Sequence, residues 1–150
     1  AAAQRCGAEL LLSASGLGPR ALRRWGDQLQ RSLAVPLRWA LQRGGNLGCR
    51  MHRQMQLGFA RGFEQLVLIG SDLPDLQSGD LVQAFALLER HDLVLGPAED
   101  GGYWLIGITR HITGSQSRDV ISALSASPLS TAAAKSLMRY VHHKKGVGKM

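Results

Sequence analysis

The chain has 150 residues, 45% of them hydrophobic and 19% charged, which suffices for one domain with a buried core. No apolar run is long enough to span a membrane, no leader pattern opens the sequence, and two cysteines, Cys6 and Cys49, exclude a disulfide framework. The formal charge of +7 comes mainly from the tail: residues 1–119 carry 13 Arg against 11 acids, whereas the five basic residues from Lys135 onward meet no acid. No aromatic platform accompanies these bases, so no nucleic-acid partner is expected. The cysteines read as small buried residues, and the setting as cytoplasmic.

Residues 1–7 look like the end of a helix, and the apolar run 8–14 predicts a strand. Ser15-Gly16-Leu17-Gly18 is a turn. Pro19 then opens a helix over 20–31, with Leu22, Trp25 and Leu29 inward and the arginines solvated. Residues 37–42 predict a further strand behind Pro36. Arg43-Gly44-Gly45-Asn46-Leu47-Gly48 is a glycine-rich loop opening a helix, with Asn46 as N-cap and Leu47, Met51, Met55, Phe59 and Phe63 at helical spacing. Two readings of the loop stand side by side. Either its glycines only permit a tight turn, or the backbone around Asn46, Leu47 and Gly48 binds a phosphate or sugar hydroxyl with Arg50 nearby.

The stretch 65–107 carries most of the functional information. Residues 65–71 form a continuous apolar run of the kind buried on both faces of a sheet, and it stops at Ser71 and Asp72. A helix follows, with Ser78 as N-cap, Asp80 in its first turn and Leu81, Phe85 and Leu88 on one face; Asp75 reads as a cap of the same helix. A second buried run, 92–97, ends in Ala98-Glu99-Asp100-Gly101-Gly102, and 103–107 is a third strand. Its link to the preceding strand is too short for a helical crossover, so it pairs antiparallel or leaves the sheet. Beyond Arg110 the sequence turns rich in Ser and Thr, and 131–143 suggests a helix. Alternation of strand and helix predicts the α/β class with a mostly parallel sheet.

Two buried strands each ending in an acidic turn suggest a divalent cation, Mg²⁺ or Mn²⁺, because hard cations take one or two carboxylates and complete their shell with substrate phosphates and water. Asp72 and Asp100 are the candidate ligands. Glu99 is either solvent-facing, the preferred role, or a general base. Gly101 and Gly102 allow a sugar or acceptor to approach the backbone closely.

Gly70-Ser71-Asp72-Leu73-Pro74-Asp75-Leu76 and Gly96-Pro97-Ala98-Glu99-Asp100-Gly101-Gly102-Tyr103-Trp104-Leu105-Ile106-Gly107 resemble two signatures of the DUF2064 glycosyltransferase-like family. Gln42-Arg43-Gly44-Gly45-Asn46-Leu47-Gly48-Cys49-Arg50-Met51 resembles a third, in which Asn46 stands where the family usually has Asp. The resemblance implies a Rossmann-like, three-layer α/β/α fold of the GT-A nucleotide-diphospho-sugar transferase type, with residues 1–110 as its core and 111–150 as a divergent basic segment. The family's opening strand and basic phosphate loop have no counterpart here, which implies an N-terminally truncated domain. Carried over, Asp72 takes the place of the metal- and diphosphate-binding acidic motif, with Ser71 beside it as a substrate-binding residue, and Asp100, Gly101, Gly102 and Tyr103 line the sugar or acceptor side. The implied activity is metal-dependent transfer of a sugar from a nucleotide-sugar donor to an acceptor. The alternatives are a nucleotidyltransferase like the cofactor guanylyltransferases, and a non-catalytic remnant of the fold.

Overall fold

The computed structural model describes residues 2–34, 36–70, 73–97, 103–112, 116, 119–120 and 137–145. In chain order its elements are α1 (Ala2–Arg5), β1 (Glu9–Ala14), α2 (Pro19–Ser32), β2 (Leu37–Leu41), α3 (Leu47–Ala60), β3 (Phe63–Gly70), α4 (Ser78–Leu88), β4 (Leu93–Pro97), β5 (Tyr103–Thr109) and β6 (Leu137–Lys145). The apolar run of β3 is buried on both sides: Leu66, Val67, Leu68 and Ile69 are each at most 4% exposed. Leu66 and Leu68 pack with Met51 and Met55 of α3, whereas Val67 and Ile69 pack with Leu81, Ala84, Phe85 and Leu88 of α4. The strand's two-residue period thus feeds two apolar clusters on opposite faces.

One six-stranded sheet runs in the order β2-β1-β6-β3-β5-β4. The sheet is mixed rather than mostly parallel. Only β1 and β2 pair parallel, and the other four pairings are antiparallel. The cause lies in β5 and β6, which run against the remaining strands and stand between pairs that share a direction. For β5 this follows from the short link at 98–102, as expected. The helix expected over 131–143 is absent over its described part, where 137–145 form β6. Those residues lie between β1 and β3 and pair with both, so the backbone groups of two facing strands outweigh the weak helical pattern.

Two helix boundaries also differ from expectation. α3 ends at Ala60, Gly62 turns the chain at φ +91°, and Phe63 starts β3 instead of extending the helix. The N-cap of α4 is Gln77, not Ser78. Its N–H donates to Asp80 Oδ2 at 2.8 Å, so Asp80 closes that end and Asp75 lies exposed in the preceding turn.

Close approach of α3 to the sheet depends on Gly58. A Cβ there would stand 2.7 and 2.9 Å from the Leu66 methyls. Leu66 is 2% exposed and has little room to yield. Gly79, in the first turn of α4, meets nothing within 4 Å. Gly58→Ala is therefore expected to lower the urea midpoint, by an amount worth about 1–2 kcal/mol, as overpacking outweighs the gain in helix propensity. Gly79→Ala is expected to raise it by up to about 1 kcal/mol.

Between the start of β4 and the end of β5, Thr109 donates its hydroxyl to Asp92 Oδ1 at 2.6 Å and His111 Nδ1 lies 3.0 Å from the same oxygen. The Thr109 hydrogen bond first, and His111 second, hold the Asp92 carboxyl below the usual range. A depressed carboxyl stabilises the fold fully above its unfolded pKa of about 3.9, and that contribution is lost as pH falls through the lower folded value. The stability difference between wild type and Asp92→Asn, followed by urea unfolding, should accordingly shrink on acidification below about pH 4.

Candidate functional site

Strand direction locates the functional side. β1, β2, β3 and β4 share one direction, so Ala14, Leu41, Gly70 and Pro97 end at one edge of the sheet, where β5 begins at Tyr103. Open α/β sheets form ligand crevices along such an edge. Ile69 stands opposite Leu105 and Pro97 opposite Tyr103, so the ends of β3 and β4 both lie beside the start of β5, one on each side. β3 and β4 are not direct neighbours, because β5 separates them. Two strand spacings, about 10 Å, lie between their ends.

Ser71, Asp72, Glu99, Asp100, Gly101 and Gly102 lie outside the described residues. Tyr103 is described and stands 40% exposed at the edge. Behind it the loop is fixed to the body of the protein: Leu73 and Leu76 pack against the α4-side cluster. Among the described residues no three of His, Cys, Asp and Glu come together, and no helix is long and apolar enough to cross a membrane. Cys6 is half-buried, and burial pushes its thiol up; Cys49 is exposed on α3, against the expectation of a buried residue.

The glycine-rich loop occupies the far part of the same edge. Asn46 is the N-cap of α3, its Oδ1 accepting from Cys49 N–H at 2.9 Å. Leu47 packs against the α3-side core and Gly48 is buried in the first turn. Arg50 turns back on the loop, donating Nε to Gly45 O at 2.8 Å and Nη1 to Gln42 Oε1 at 3.3 Å. Gln42 in turn donates Nε2 to Ser13 O at 3.1 Å, which ties the loop to β1. Arg53 donates Nη1 to Gly44 O at 2.5 Å. Gly45 has φ +119°, a conformation in which a side chain would be strained, so glycine is required there for the turn. The loop is thus braced by two arginines of the helix it precedes. Arg53 and Gln42 were not among the expected site residues. The available signal was the spacing of Arg50 and Arg53, which places them on one helix face.

These features define a mixed α/β protein with loops gathered at the C-terminal edge of its co-directional strands. The architecture is similar to the crystal structure of a candidate nucleotide-diphospho-sugar transferase from Desulfovibrio desulfuricans G20. The TM-score is 0.55 at 32% identity, covering 72% of this chain and 44% of that one, so the chain spans less than half of that relative. The sequence settles the family: the model of DUF2064, described as "Uncharacterized protein conserved in bacteria", matches residues 1–124, and the chain belongs to that family. No curated protein matches it.

The cap at position 46 offers a direct test of what the loop contributes to stability. Asn46→Ala should lower stability by about 1 kcal/mol, since the Cys49 N–H loses its acceptor. Asn46→Asp should retain the cap and gain a few tenths of a kcal/mol from a negative charge at the N-terminus of α3. Thermal or urea unfolding of the three proteins reads both effects.

Proposed function

We propose that the protein is a metal-dependent glycosyltransferase-like enzyme that takes a sugar from a nucleotide-sugar donor and passes it to an acceptor. The observation that carries this reading is that β3 and β4, each followed in the sequence by an acidic stretch, end at one sheet edge on either side of the start of β5. Similarity to a candidate nucleotide-diphospho-sugar transferase supports the same class.

A hard divalent cation suits this donor set. Asp72 and Asp100, which follow β3 and β4 in the sequence, would supply carboxylate oxygens, and Mg²⁺ or Mn²⁺ take one or two such ligands beside phosphate and water. When bound, the cation neutralises charge on the leaving diphosphate. Asp72 and Ser71, directly after β3, orient the donor's diphosphate. Glu99 accepts the proton of the acceptor hydroxyl as that oxygen bonds to the sugar and the sugar–phosphate bond breaks. Gly101 and Gly102, lacking side chains, would let the sugar approach the backbone, next in sequence to the exposed Tyr103.

Calorimetric titration of UDP-, GDP- and ADP-sugars with and without Mn²⁺ tests the assignment. One donor should bind in a metal-dependent way, Asp72→Ala should weaken that binding by about tenfold or more, and turnover should release a nucleoside diphosphate. Equal metal-dependent binding by wild type and Asp72→Ala would remove Asp72 from its role. Release of pyrophosphate would indicate nucleotidyl transfer instead.

A further inference from the structure

The α3-side face of β2 is open. β2 pairs only with β1 and so forms the end of the sheet. α2 packs against its other face, where Gly26 lies on the Trp39 ring. On the open face, two clefts of about 460 and 490 Å³ lie between β2 and α3, and both are lined by Ala40, Gln54 and Leu57. The second also takes in Arg43, Arg50 and Arg53. Its volume falls within the range of small-molecule sites, about 300–1,000 Å³.

Two independent features give this cleft a chemical preference. The first is positive charge without a counter-ion. Arg50 and Arg53 hold the glycine-rich loop through Nε and Nη1 only, and among the described residues neither Nη2 meets an acceptor. Among the same residues no carboxylate pairs with Arg43, Arg50 or Arg53. Guanidinium groups with uncommitted N–H donors favour phosphate. The second is Gln54, which is 6% exposed although it lines the cleft, and whose Oε1 has no hydrogen-bond partner. A buried amide oxygen without a donor is destabilising, and a ligand hydroxyl reaching it would satisfy it. Ala40 and Leu57, the latter 55% exposed, supply an apolar wall suited to the C–H face of a sugar ring.

The geometry points to a binding site for a phosphorylated sugar in the cleft between α3 and β2, with its phosphate held by Arg43, Arg50 and Arg53 and a hydroxyl donating to Gln54. This site is separate from the acidic stretches: β1 and β6 stand between β2 and β3, placing its arginine end about 14 Å along the sheet edge from the end of β3. It needs no divalent cation.

The test is calorimetry in EDTA with glucose 6-phosphate, inorganic phosphate and glucose as probes. Glucose 6-phosphate should bind several-fold more tightly than phosphate, and glucose far more weakly than either. Arg43→Glu, at an exposed position that makes no hydrogen bond or ion pair among the described residues, should weaken both glucose 6-phosphate and phosphate by about tenfold or more. Gln54→Leu should reduce glucose 6-phosphate to the affinity of phosphate, leave phosphate itself unchanged, and keep or raise the melting temperature because an unpartnered buried oxygen is removed. Asp72→Ala should bind glucose 6-phosphate as wild type does, which separates this site from the proposed donor site. Wild-type affinity for glucose 6-phosphate in Arg43→Glu or in Gln54→Leu would overturn the proposal, as would its loss in Asp72→Ala.

Discussion

Burial of β3 on both faces is the constraint from which the rest of the arrangement follows. A strand with Leu66, Val67, Leu68 and Ile69 all buried requires apolar cover above and below, and α3 and α4 supply it. Both helices must then come close, which fixes Gly58 beneath Leu66 and aligns the apolar face of α4 with Val67 and Ile69. With its faces occupied, β3 can meet other strands only through its backbone edges, taken by β5 and β6. The strand ends at Gly70, on the edge where the candidate site is proposed.

That edge combines two kinds of chemistry at different positions along it. At the start of β5 the chain presents the exposed Tyr103. At β2 it supplies arginines on a glycine turn, with a buried glutamine behind them. The turn owes its form to internal bonds: Asn46, Gln42, Arg50 and Arg53 together satisfy the Cys49 N–H and the Ser13, Gly44 and Gly45 carbonyls. A loop held in place before any ligand arrives loses less conformational freedom on binding than one that must be ordered.

Much of this was legible in the residues themselves. Continuous apolar runs marked β1 and β3, helical spacing marked α2, α3 and α4, and the short link at 98–102 implied the antiparallel course of β5. What the residues concealed was set by distant partners. The segment 137–145 has a weak local pattern, and its strand form depends on the edges of β1 and β3, whose residues lie far away in the chain. The end of α3 was read too late because Phe63 continues the helical spacing, although Gly62 at φ +91° had already turned the chain. At the site, the intervening β5 was not foreseen, since pairing order is not written in spacing. The arginine braces were missed for a related reason: Arg53 reaches a carbonyl nine residues back, and only the folded turn brings the two together.

The position of β6 has a consequence for how the protein assembles. The pair β1–β2 and the trio β3–β5–β4 each consist of segments near one another in the chain, so each can form early. Joining them waits for the last of the six strands in chain order, which closes a gap between residues separated by more than a hundred positions at β1. Until that zipper closes, two half-sheets face one another with unpaired rims. The interval before closure is when a second molecule competes most effectively for the same hydrogen bonds.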